Sequence, residues 1–169
     1  MSAFTAERIK HLEMIQAVIA RLGSDSFLVK GWAVTATGVF LGFAVANDEP
    51  WLAVPSALVT LLLWMLDTYY LRSERLFRLL FDRARHVDAA GYEPFAMNAT
   101  GKRFRDSLAA ADRKCVTRRA VAFSGTLLSL YAALLLAAGA IAWVTETQIS
   151  QASASESSPH QSSGPDERD

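Results

Sequence analysis

Three stretches of the chain carry no charged side chain: residues 31–46, 50–66 and 120–144. Residues 27–46, FLVKGWAVTATGVFLGFAVA, are interrupted only by Lys30, close to one end. At about 1.5 Å rise per residue such a run forms a helix that crosses a hydrocarbon core of about 30 Å. Residues 51–71 form a second run, interrupted only by Asp67, again near an end. Asn47-Asp48-Glu49-Pro50 links the two, and so short a link predicts an antiparallel hairpin. Pro55 sits one turn into the second run, where a local kink is expected. The uncharged run 120–144 predicts a third span. The alternative, with only the hairpin crossing and 120–144 packed elsewhere, has to explain an apolar run longer than a soluble core helix needs.

Between these runs the pattern becomes amphipathic. Ile9, Leu12, Ile15, Ile19 and Leu22 recur at helical spacing within residues 4–22, with charges on the other faces. Gly23 is expected to stop that helix, and Ser24-Asp25-Ser26 to cap the next. Charges persist through residue 21 and no cleavage-site pattern follows, so the segment does not read as a signal peptide. After the second span, Leu76, Phe77, Leu80, Phe81, Ala84 and Val87 form one stripe of a helix running on to about residue 89. Gly91, Pro94 and Gly101 break it. Residues 103–119 resume helical spacing through Phe104, Leu108, Ala111 and Cys115, and are expected to run straight into the third span.

The expected architecture is all-α: an integral membrane protein with three transmembrane helices and a small cytosolic helical bundle. Its parts are an N-terminal amphipathic helix (1–23), a transmembrane hairpin (27–71), a basic segment (72–119), a third span (120–144) and a tail (145–169). Phe77, Phe81, Phe104 and Leu108 are the expected core of the bundle. A bundle this small can complete its core across chains, which suggests a homo-oligomer. Seven serines and two prolines among residues 150–169 predict a disordered tail.

Composition refines this little. The chain has 169 residues, enough for one domain, and 17 basic against 17 acidic side chains. Zero net charge argues against a nucleic-acid binder held by bulk charge. The single cysteine, Cys115, excludes an internal disulfide framework and a cysteine-based zinc cluster. The distribution of charge is more telling. Residues 1–30 carry four Lys and Arg, residues 47–50 none, residues 72–119 twelve, and residues 145–169 one. By the positive-inside rule the N-terminus and the basic segment are cytosolic, and the short link and tail lie outside. The glycosylation sequon Asn98-Ala99-Thr100 then falls on the cytosolic side and is set aside.

Ionisable groups inside spans are functional candidates by default. Lys30 lies 16 residues before Ala46, and Asp67 lies 16 residues after Trp51. In a hairpin both sit about 24 Å from its closed end, so they are expected to face each other. Such a pair fixes hairpin register; a gate or proton-sensitive switch is the sharper reading. Gly31, Thr35, Gly38 and Gly42 share one stripe of the first span, which is expected to pack a helix closely. Packing within the chain and packing between copies both fit. Gly125 and Ser129 repeat the pattern in the third span. Trp32, Trp51, Trp64, Tyr69, Tyr70 and Trp143 lie near span ends and suit an interfacial aromatic belt.

Arg72, Arg75, Arg78, Arg83 and Arg85, joined by Arg113, Lys114, Arg118 and Arg119, form a basic surface beside the bilayer. It suits anionic lipid heads, or an acidic protein or phosphate-bearing ligand. No glycine-rich loop accompanies it, so no nucleotide site is implied. Asp82, His86, Asp88 and Glu93 are the only grouped candidates for catalysis or metal binding, and helix spacing explains the Asp82–His86 pair equally well. No enzymatic activity and no cofactor are expected.

The order of parts does resemble one family. The start of the first span, SDSFLVKGW, and the passage LDTYYLRSERLFRLLFDRAR, where the second span becomes a basic helix, are similar to the SLATT-type small membrane proteins of bacterial defence islands, over about residues 5–90. The resemblance implies a hairpin with helical cytosolic extensions, acting as a membrane-disrupting or pore-forming effector in the bacterial inner membrane. It carries no functional residue across, and the third span departs from its two-span plan. The competing expectation is a non-enzymatic membrane scaffold whose cytosolic bundle recruits a soluble partner. A three-span transporter lacks the inverted repeat on which alternating access is built.

Overall fold

A computed structural model describes residues 5–86 and 95–156, and of 152–156 the backbone alone. Among the described residues the chain is all-helical. Helix α1 spans Ala6–Ala46, and a 3-10 turn, Pro50–Leu52, leads into α2, Ala53–His86. Three short helices follow: α3 (Lys102–Asp106), α4 (Ala110–Cys115) and α5 (Arg118–Ala122). Helix α6 runs from Gly125 to Glu156. Three of these helices are long and apolar enough to cross a membrane.

Helix α1 is one piece. Thr5 caps it by accepting the Arg8 amide at 3.4 Å, and Glu7 sits in its first turn. It does not stop at Gly23, nor does a second helix start at Ser24–Ser26. Packing overrides those local signals: the Ser26 hydroxyl bonds to Asp67 and Lys30 instead of competing for the backbone. At the far end the Asn47 side chain donates to the Phe43 carbonyl, and Asp48 turns the chain with φ 53°. Pro55 falls in the first turn of α2, where a missing N–H is tolerated.

The segment between α2 and α6 departs most from expectation. Residues 103–119 do not form one helix continuous with the third span. Ser107 turns its hydroxyl onto the Phe104 carbonyl at 2.7 Å and ends α3. Thr117 donates to the Lys114 carbonyl at 2.9 Å and accepts the Ala120 amide at 3.3 Å, ending α4 and capping α5. A further break at Phe123–Ser124 separates α5 from α6. These breaks shift the helical phase, so Ala111 and Cys115 are exposed rather than in a buried stripe. The far end is also corrected: helix continues past Thr145 to Glu156, where a disordered tail was expected. Val87, Asp88, Gly91, Glu93, Pro94 and residues 157–169 lie outside the described residues.

Two apolar clusters hold the helices together. In one, Ile15 of α1, Leu76, Leu80 and Ala84 of α2, and Ala99, Leu108 and Val116 are buried together. Phe77, Phe81 and Phe104 pack against it, partly buried. In the other, Ala33, Val121, Leu127 and Tyr131 are buried, with Leu63, Trp64 and Leu134 packed around them. The remaining faces of α1, α2 and α6 are exposed and apolar: Phe27, Trp32, Phe43, Leu62, Met65, Leu136 and Trp143 are all well over half exposed. Bare apolar faces of this extent suit a hydrocarbon surround.

Candidate functional site

The side chains with the most chemistry meet where all three long helices touch. Lys30 and Asp67 occupy equivalent heights on α1 and α2. Lys30 Nζ lies 2.8 Å from Asp67 Oδ2 and 2.9 Å from Oδ1. Ser26, one turn before Lys30, donates its hydroxyl to Asp67 Oδ1 at 2.5 Å and accepts from Lys30 Nζ at 2.6 Å. From α6, the Tyr131 hydroxyl donates to Asp67 Oδ2 at 3.2 Å. Asp67 is wholly buried, whereas the Lys30 side chain is 23% exposed. The carboxylate therefore sits inside while the ammonium reaches its edge. A buried charge is tolerated only when paired and hydrogen-bonded, and this one is both.

A neutral step lies two turns further along the same interface. Thr37 and Thr60 are buried with their hydroxyls 2.7 Å apart. Thr60 donates to the Ser56 carbonyl at 2.8 Å, so the proton between the two threonines comes from Thr37. Sequence reasoning singled out Lys30 and Asp67 but missed Ser26, Tyr131 and the threonine pair. Ser26 lies four residues before Lys30, on the same face, and Tyr131 is a polar tip amid leucines and alanines. Both were visible signals.

The small-residue stripe is placed differently. Gly31, Thr35, Gly38 and Gly42 all face outward. A Cβ added at Gly31, Gly38 or Gly42 meets nothing within 4 Å. Packing of the stripe within the chain is thus overturned: the buried face of α1 runs instead through Val29, Ala33, Thr37, Leu41 and Ala44. The third-span Gly125 is open in the same way. Trp64 also leaves the expected aromatic belt. It is partly buried, donates its indole N–H to the Ala122 carbonyl at 3.1 Å, and stacks on Tyr131 with centroids 6.0 Å apart. Trp32, Trp51, Tyr69 and Trp143 remain exposed.

The arginines divide between internal and outward roles. Arg72 Nε donates to the Val116 carbonyl at 2.9 Å, and Arg75 to the Cys115 carbonyl at 3.2 Å. Together they bind the C-terminal end of α4 to α2, where carbonyls lack helical partners. Arg78 pairs with the buried Glu74, Nε to Oε1 2.9 Å, and Arg83 bonds to Ser107. Arg85 lies 3.6 Å from Asp82. Arg8 reaches from α1 to the Ala84 and Arg85 carbonyls, closing the end of α2. Arg118 and Arg119 are exposed. Burial, then the positive charges of Arg105 and Arg118, lowers the Arg72 pKa from its ordinary value.

His86 turns Nδ1 onto the backbone carbonyl of Asp82 at 2.7 Å. Among the described residues no three His, Cys, Asp or Glu side chains are grouped as metal ligands would be. Compared with protein-family models, curated proteins and solved structures, the chain matches none.

Proposed function

We propose that the chain is a multi-pass protein of the bacterial inner membrane, oligomeric, that acts as a membrane effector or channel-like component controlled through its cytosolic helices. One observation carries this reading: α1 and α2 each run unbroken from an apolar stretch into a charged one. A force on the arginine-rich half of α2 is therefore a force on its apolar half, and both meet at Lys30 and Asp67. In this reading the N-terminus and residues 72–119 are cytosolic, because the positive charge gathers there. The cluster of Ile15, Leu76 and Leu108 is then the core of the cytosolic bundle. The resemblance to the SLATT-type proteins supplies the effector class.

Oligomerisation belongs to the proposal for a physical reason. The buried polar side chains shared by α1 and α2 are turned onto one another, so within one chain they are not free to line a wet pore. That same fact favours a second reading, a non-enzymatic scaffold recruiting a soluble partner through its basic end. Controlled expression with a membrane-potential dye separates the two. Depolarisation on induction supports the effector. A stable complex with a soluble protein, recovered in mild detergent without conductance, supports the scaffold and removes the effector.

A further inference from the structure

Beside the polar cluster, on the outer side of α2, lies a groove of about 760 Å³ between that helix and the elbow joining α5 to α6. Its lining changes character along its length. At one end α2 contributes Leu61, Leu62 and Met65, and Phe123 forms the opposite wall. One to three turns further along α2 come Tyr69 and Arg72, facing Arg118 and Arg119 from α5. The groove is thus apolar where α2 is deepest in the membrane and cationic where α2 leaves it.

The charge at that end is not neutralised by any acidic side chain among the described residues. Arg72 Nε is engaged by the Val116 carbonyl, which carries no formal charge. Among the described residues no acidic side chain forms an ion pair with Arg72, Arg118 or Arg119. Asp67 faces the other side of α2 and is taken by Lys30. Arginines held close without an anion repel one another, so a ligand supplying negative charge at this end relieves that repulsion. The shape sets the rest of the ligand, because a free phosphate leaves the apolar length exposed.

We infer that this groove is a binding site for one anionic phospholipid, its acyl chain along Leu61, Leu62 and Met65 and its phosphate between Arg72, Arg118 and Arg119. The inference rests on the membrane placement proposed above. It explains why α5 exists as a separate short helix. The break at Phe123–Ser124 separates α5 from α6, and Arg118 and Arg119 of α5 line the same groove as Arg72. A lipid seated there bridges α2 to the α5–α6 elbow, which Trp64 already fastens through the Ala122 carbonyl.

Trp64 lines the groove and serves as its reporter. In a chain carrying Trp32→Phe, Trp51→Phe and Trp143→Phe, Trp64 fluorescence is read in vesicles of phosphatidylcholine containing brominated phosphatidylglycerol or brominated phosphatidylcholine. Protease protection first establishes insertion. The expected result is quenching by the brominated anionic lipid at a mole fraction at least about fivefold lower than by the zwitterionic one. Arg118→Gln/Arg119→Gln brings that ratio close to one, and Lys102→Gln/Arg103→Gln, on the same flank but outside the groove, leaves it unchanged.

A chain that does not insert overturns the membrane reading. An inserted chain quenched equally by both lipids overturns the groove alone. Equal loss of preference in both arginine variants assigns it to diffuse surface charge and also overturns the site. Relief of quenching by millimolar glycerol phosphate overturns it in favour of a soluble ligand. Should Arg118→Gln/Arg119→Gln fail to insert, the single changes take its place, each expected to lower the ratio; an unchanged ratio in both overturns the proposal.

Discussion

Among the described residues, two side-chain pairs join the apolar stretches of α1 and α2, and they are built from opposite chemistry. Thr37 lies seven residues beyond Lys30, and Thr60 lies seven residues before Asp67. One link is therefore two turns, about 10 Å, from the other along the interface. The threonine link is neutral, wholly buried and confined to two helices. The charged link holds three helices and keeps its ammonium partly exposed. An uncharged pair can sit anywhere along a span. A charged pair is affordable where its cation reaches the edge of the protein and every carboxylate lone pair finds a donor. Strength and depth are thus traded against each other along one helix pair.

The charged link gives the largest expected effect. Lys30→Met leaves a buried carboxylate with only Ser26 and Tyr131 as donors, and is expected to destabilise the protein by about 3–5 kcal/mol. Asp67→Leu strands the ammonium less severely, because Lys30 can turn outward. The double variant Lys30→Met/Asp67→Leu is expected to lose less than the two single losses combined, since it removes both charges together. Unfolding in mild detergent, followed by circular dichroism, measures all three. Strictly additive losses would falsify the contact.

This contrast also marks how far the sequence was legible. A lone charge in an apolar run is conspicuous, so Lys30 and Asp67 could be found, and the hairpin's geometry put them at one depth. The three apolar helices were legible for the same reason. What could not be read was competition between local and tertiary signals. Ser26 looks like a cap but serves the carboxylate, so Gly23 does not end a helix. Ser107 and Thr117 look like ordinary members of a helical run but take backbone partners and break it. The glycine stripe fits any close neighbour, and spacing alone does not say which side of α1 faces α2.

The third helix sharpens the comparison. Among the described residues, Tyr131 alone brings α6 to the charged link, through one hydrogen bond at 3.2 Å. Tyr131→Phe keeps the stacking on Trp64 and removes that bond, at an expected cost of about 1 kcal/mol. The loss is expected to appear as weaker attachment of α6, read by cross-linking between cysteines placed on α2 and α6, with the α1–α2 hairpin intact. Thr37→Val tests the neutral link and is expected to cost about 0.6 kcal/mol, the usual size of such bonds between spans. A loss as large as that of Lys30→Met would erase the distinction between the two links.

The smallest effect is expected on a neighbouring, exposed face of α1. Gly38 has nothing within 4 Å of where a Cβ would stand, so Gly38→Leu meets no clash inside the chain. Leucine also favours helix over glycine. The unfolding midpoint is therefore expected to hold within about 0.5 kcal/mol, or to rise slightly. Ala33, five residues earlier and fully buried against α6, offers no such room. The same change gains a second meaning in a membrane. If copies of the chain meet through this stripe, four added carbons at Gly38 hold the helices apart, and cross-linked multimers disappear while the single chain stays as stable as before. If multimers persist unchanged, the stripe faces lipid, and contacts between copies have to be sought on α6 or at the basic end.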